Sequence, residues 1–130
     1  MAKGRDRHQA RLETLNWFGR NLARRSGSAC ELCAATGVKL STWEVAPIPE
    51  EPDIDKCVFI CETCQTQLEN PKRVDTHHWM CLYTSAWSEV PAVQVVAVRK
   101  LHTLTNESWA TDLLDQLYIP EEIEEWISAA

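Results

Sequence analysis

Four of the six cysteines stand in two Cys-x-x-Cys pairs, Cys30/Cys33 and Cys61/Cys64, with residues 34–60 between them. A Cys-x-x-Cys turn aims two sulfurs at one point. Two such turns supply the four ligands of a tetrahedral metal site. The flanking residues suit this use. Gly37 follows the first pair as a turn residue, and the apolar run Val58–Ile60 leads into the second. The expected cofactor is therefore one zinc ion held by Cys30, Cys33, Cys61 and Cys64. Four thiolates fill zinc's coordination shell, so the metal is expected to be structural and to leave no open position for water or substrate. Iron also accepts four thiolates, and the spacing does not separate the two metals. A redox Cys-x-x-Cys would need a larger βαβ unit, for which the chain has no room.

Cys57 and Cys81 fall outside this set. Cys57 shares a strand face with Phe59 and Cys61 and reads as a buried apolar residue. Cys81 ends the string His77-His78-Trp79-Met80-Cys81. A second metal site from Cys57, Cys81 and the histidines is the minor reading. His77, His78, Asp75 and Glu44 are the side chains available for acid–base work or for a catalytic metal.

The elements that must position the cysteines follow from periodicity. Leu12, Leu15, Phe18 and Leu22 recur at helical spacing, which predicts an amphipathic helix over 8–26 with arginines in its last turn and Gly27 at its stop. Short strands are expected at Val38–Val45 and Lys56–Cys61. Pro47, Pro49 and Pro52 mark the connector between them as a loop. A helix is expected over Gln65–Glu69, ended by Asn70-Pro71. Knuckle, hairpin, knuckle and helix is the element order of a treble clef; a plain zinc ribbon would place a strand after the second knuckle. In the last third, Ser88 is expected to cap a helix whose inner face is Val93, Val96, Ala97, Leu101 and Leu104. Asn106 or Ser108 starts the next, burying Trp109, Leu113, Leu114 and Leu117. Pro120 starts a last one, with Ile123, Trp126 and Ile127 turned inward. The fold class expected is thus α+β: a small treble-clef-like zinc finger packed with N- and C-terminal α-helices. The 130 residues are read as one domain with a basic helix at 8–26, a zinc module at 27–70 and a helical part at 71–130.

Charge is segregated along the chain. Residues 1–25 carry seven Lys/Arg against two acids, while residues 101–130 carry seven acids and no Lys or Arg. The net charge of −6 hides this split. The basic end, through Arg20, Arg24 and Arg25, is the candidate nucleic-acid contact; the acidic end would repel a polyanion. Attraction between the two ends of the same chain is the simpler account. Six tryptophans are many for this length. Core filling explains most of them, and Trp43 and Trp79 are the two with an alternative use in stacking. No apolar stretch has the roughly 18–20 residues of a membrane span. The start of the chain carries charges where a signal peptide has its apolar region, so a cytoplasmic location is expected.

Two resemblances extend this reading. Over residues 30–69, Cys30-Glu31-Leu32-Cys33, the strand-like Leu40–Val45, the proline loop and Val58-Phe59-Ile60-Cys61-Glu62-Thr63-Cys64 resemble the treble-clef frame of zinc-bearing HNH endonucleases. Those enzymes carry a water-activating histidine on the strand. Here the strand reads Ser41-Thr42-Trp43-Glu44-Val45, and the residue after Cys64 is Gln65. The resemblance therefore implies the frame without the catalysis. Over residues 24–127, the knuckles together with His78-Trp79, Cys81-Leu82, Trp87-Ser88-Glu89-Val90-Pro91-Ala92-Val93-Gln94-Val95 and Trp109-Ala110 through Leu114 resemble the N-terminal region of PhnA-type proteins, the bacterial zinc-ribbon proteins of alkylphosphonate utilisation operons. This implies a bacterial zinc protein loosely linked to phosphonate metabolism and implies no enzymatic activity. The function expected is a non-enzymatic zinc module that engages a protein partner. The alternative is a nucleic-acid-binding module, and a residual nuclease or phosphonate hydrolase ranks third.

Overall fold

The computed structural model describes residues 2–72 and 74–130. The chain opens with a long helix, α1 (Ala2–Ser26), and reaches strand β1 (Leu40–Glu44) through the first cysteine pair. The proline loop leads to strand β2 (Cys57–Cys61), which runs directly into helix α2 (Glu62–Glu69). A 3₁₀ turn (His78–Cys81) continues into the short α3 (Leu82–Ser85). Three helices follow: α4 (Pro91–His102), α5 (Ser108–Gln116) and α6 (Glu121–Ser128). The two strands form an antiparallel hairpin in which Leu40 faces Cys61 and Glu44 faces Cys57. The architecture is thus helices around one small antiparallel sheet.

α1 lies across the hairpin, and two bidentate ion pairs hold it there. Arg11 bonds both carboxylate oxygens of Glu44 at 2.9 and 2.6 Å and also reaches the carbonyls of Pro49 and Glu50. Arg25 bonds both oxygens of Glu31 at 2.9 and 2.6 Å and the carbonyl of Cys57. The ion pairs of α1 among the described residues therefore go to Glu44 on β1 and to Glu31 in the first cysteine loop, and not to the acidic end of the chain that the charge pattern suggests. The helix begins at Ala2, six residues before the expected start, and runs through Gly4. It ends where expected: Gly27, at φ +67°, takes the left-handed conformation that stops a helix at least cost.

α4 is the centre of the molecule. Ala92–Val98 are all buried, so this helix is enclosed on every side and the one-sided pattern expected for it understates its burial. It packs against α3, α5, α6 and β2. Its first residue is Pro91, whose missing N–H is no loss at that position. Ser88 accepts a bond from the Val90 N–H and so shapes the turn before the helix rather than capping it. One cluster of buried side chains runs without a break from Cys30 and Leu32 through Ile60, Trp79 and Val95 to Leu113.

Several local expectations shift. The strands are shorter than expected, because their outer residues pass into the knuckle and the proline loop. α2 starts at Glu62 rather than Gln65, so the second cysteine pair is part of its first turn. The 3₁₀ turn and α3 at 78–85 carry no periodic signal and were not expected. Leu12, assigned to the inner face of α1, is exposed, and Trp17 is 76% exposed. Trp79, a stacking candidate from sequence, is fully buried. Among the described residues, no helix is long and apolar enough to cross a membrane.

Candidate metal centre

The first cysteine pair sits in a tight loop. Cys30 donates its N–H to the Ala35 carbonyl at 2.9 Å, and Ala34 donates back to the Cys30 carbonyl at 2.8 Å. Ala34 takes a left-handed φ of 66° to close this turn. The backbone N–H of Cys33 then points at the Cys30 sulfur, 3.5 Å away. The second pair uses a helix start instead. Cys61 is the last residue of β2 and the cap of α2, and Cys64 lies in the first turn of that helix.

The hairpin brings the two pairs together. The Cys30 and Cys64 sulfurs are 3.7 Å apart, and those of Cys33 and Cys61 are 3.6 Å apart. All four lie within 4.8 Å of one another. A tetrahedron with metal–sulfur bonds of about 2.3 Å has sulfur–sulfur edges of about 3.8 Å. The sulfur cluster thus fits one zinc ion, and all six cysteines are free thiols rather than disulfides. The Cys61 N–H adds a second backbone contact to the Cys30 sulfur at 3.4 Å.

No family model, curated protein or solved structure matches this chain. The reading of the site rests on its own geometry.

The thiols differ in character. The hydrogen bond from Cys64 holds Cys30 down to about 4, against its burial, and the N–H groups of Cys33 and Cys61 help. The same bond, then burial and the surrounding sulfurs, pushes Cys64 far up. Burial pushes Cys33 up to about 11.

Glu31, inside the first pair, locks the knuckle to the hairpin. Its N–H donates to the Phe59 carbonyl at 2.9 Å, and its carboxylate accepts the Phe59 N–H at 2.8 Å while also binding Arg25. Sequence spacing does not reveal this residue. Its partners are a strand 28 positions later and a helix before it.

The remaining candidates separate. Cys57 is fully buried at the far end of β2, where its thiol touches the Asp53 carbonyl at 3.3 Å. It stands four strand positions from Cys61, or about 13 Å away. It therefore cannot join Cys81 and the histidines in a second site. Glu44, at the same far end, is occupied by Arg11. Asp75 accepts the N–H groups of His77 and His78 and opens the 3₁₀ turn. His77, His78 and Cys81 line one cleft of about 560 Å³ together with Cys33, Cys61 and Lys39. Arg20 and Arg24 are exposed on α1, whereas Arg25 is committed to Glu31 and Cys57.

Proposed function

We propose that this protein is a non-enzymatic interaction module whose fold is held by one structural zinc, built on a treble-clef frame and of the PhnA type. The observation that carries the reading is the closed set of four sulfurs at tetrahedral spacing. Such a set leaves no coordination position for a reacting water. The treble-clef assignment is supported by the element order: knuckle, hairpin, and a second knuckle that opens α2. The non-enzymatic assignment is supported by Gln65 after Cys64 and by Glu44, which spends its carboxylate on Arg11. A protein partner is favoured by an apolar ledge outside the core. Met80, Tyr83 and Trp87 are all exposed, and Tyr83 lies 5.6 Å from the Trp109 ring.

Metal analysis joined to an activity assay tests this reading. We expect one zinc per chain, cooperative loss of structure on chelation, and no hydrolysis of DNA, RNA or alkylphosphonates with added Mg²⁺ or Mn²⁺. Turnover that disappears in His77→Ala or His78→Ala would overturn the non-enzymatic part. Metal-free reduced protein that keeps its fold would overturn the structural-zinc part.

A second reading is favoured by one feature of α1. Trp17 is 76% exposed and shares a helix face with Arg20 and Arg24. An open indole beside two cations suits a stacked base with neighbouring phosphates. If this face binds nucleic acid, a single-stranded oligonucleotide binds with steep salt dependence, and Trp17→Ala or Arg20→Ala/Arg24→Ala abolishes the binding. Arg25→Ala is not the right probe, because it also breaks the ion pair with Glu31.

A further inference from the structure

The four sulfurs are unequally provided with hydrogen-bond donors. Cys30 receives two backbone N–H groups, from Cys33 and Cys61. Beside Cys64 stands a side chain instead: His78 Nε2 lies 3.2 Å from the Cys64 sulfur. Among the described residues, no other side-chain nitrogen is found bonded to any of the four sulfurs.

His78 is not there by loose chance, because the segment on either side of it is gripped by the helix that carries Cys64. Gln67, one turn further along α2, accepts the Asp75 N–H at 2.8 Å and the Trp79 indole N–H at 2.9 Å through the same side-chain oxygen. Asp75 in turn accepts the His77 and His78 N–H groups. The imidazole meets the buried Trp79 ring edge-on, with centroids 5.1 Å apart and planes at 84°. These contacts fix both the backbone and the ring of His78 relative to Cys64. Four thiolates complete a tetrahedral set, so the nitrogen stands beside the cluster as a neighbour of Cys64 and not as a fifth ligand.

A dication held by four thiolates keeps a net charge of −2. N–H donors to the sulfurs spread that charge, slow ligand loss and lower the sulfurs' reactivity. The cleft lined by Cys33, Cys61, His77, His78 and Cys81 opens beside the cluster, and His78 lines it while touching the fully buried Cys64. We propose that His78 is an outer ligand of the metal centre, its ring donating Nε2–H to the Cys64 thiolate and so holding that sulfur on the metal. His78 is in this sense a positioning residue: it acts on the metal through Cys64. The inference rests on the metal reading of the four cysteines. Zinc content, measured first, separates failure of that reading from failure of this one.

The experiment compares zinc-loaded wild type with His78→Phe, which keeps a ring against Trp79 but has no donor, and His78→Gln, whose amide nitrogen can take the place of Nε2. We expect zinc transfer to a chelator to be about 10-fold or more faster in His78→Phe and close to wild type in His78→Gln. In the cobalt-substituted proteins, the sulfur-to-metal charge-transfer band should move in His78→Phe and return in His78→Gln. Equal release rates and equal cobalt bands in all three proteins would overturn the proposal. So would lower thermal stability in His78→Phe with an unmoved band, which marks packing alone. A wild-type spectrum of three sulfurs and one nitrogen would also overturn it, because His78 would then be an inner ligand. Should His78→Phe fail to fold, the nitrogen NMR spectrum of the zinc-loaded wild type decides. The proposal requires a proton on Nε2, and a proton on Nδ1 alone rejects it.

Discussion

The ammonium of Lys100, on the central helix, donates to the backbone carbonyl of Gln67 at 3.3 Å and lies 4.9 Å from the centroid of the Trp79 ring. Gln67 lies in the last turn of α2, so the cation of one helix caps the negative end of another. The neighbouring Arg99 does the same for α6, bonding the carbonyls of Trp126 at 2.6 Å and Ile127 at 3.2 Å. Two consecutive residues of α4 thereby tie the metal-bearing helix and the C-terminal helix to one axis.

Lys100 is 5% exposed, and burial alone lowers its pKa below the ordinary 10.5. Between that lowered value and 10.5 the unfolded chain binds a proton that the folded chain does not. Stability must then rise with pH across this window. We expect wild type to gain stability relative to Lys100→Met as pH is raised towards 10.5. Paired thermal melts of the two zinc-loaded proteins across that range measure the difference, and a gap that does not change with pH would refute the expectation.

Glu31 is the acceptor whose loss should cost most. Its side chain is 5% exposed, and it serves both the Phe59 N–H and Arg25. Removing it leaves a strand donor and a guanidinium without their partner. Glu31→Ala should lose about 2–4 kcal/mol. Glu31→Gln, which can still accept from Phe59, should lose less. Urea unfolding at saturating zinc reads both.

Zinc binding should release protons. With Cys33 held up to about 11 and Cys64 also pushed up, both carry protons at pH 7 in the metal-free form, while Cys30 at about 4 does not. Thiolates are the ligands, so at least two protons must leave per zinc bound. Apparent affinity should then rise at least about 100-fold per pH unit near neutrality. Calorimetry in buffers of different ionisation enthalpy counts the protons; one or none would contradict the assignment.

Arg99→Ala should loosen α6 and leave α2 alone. Without the guanidinium, the last turn of α6 keeps its apolar face, the Trp126 indole bond to the Ala46 carbonyl at 3.1 Å and the Lys56 ammonium 4.6 Å from the Trp126 ring centroid. Hydrogen exchange should quicken at 121–128 while the amides of 62–69 keep their protection. Equal loss of protection in both helices would show that the two ties are not independent.

Some of this was legible in the residues alone, and the reason is that it is local. A Cys-x-x-Cys turn needs no distant partner to aim its sulfurs, so Cys30, Cys33, Cys61 and Cys64 declare themselves by spacing. Gly27 and Pro120 punctuate helices through their own backbone chemistry, and the stop and start expected at them lie within a residue of those observed, whereas α4 starts at Pro91 and not from a Ser88 cap. What only the tertiary structure decided are relationships across long separations. Leu12 and Trp17 look like inner-face residues until the hairpin is seen to cover only one stripe of α1. Trp79 looks available until Gln67 and Lys100 enclose it. Glu31, His78 and Lys100 have no periodic signal at all. Their roles come from a strand, a sulfur and a helix end that the fold brings within hydrogen-bond reach.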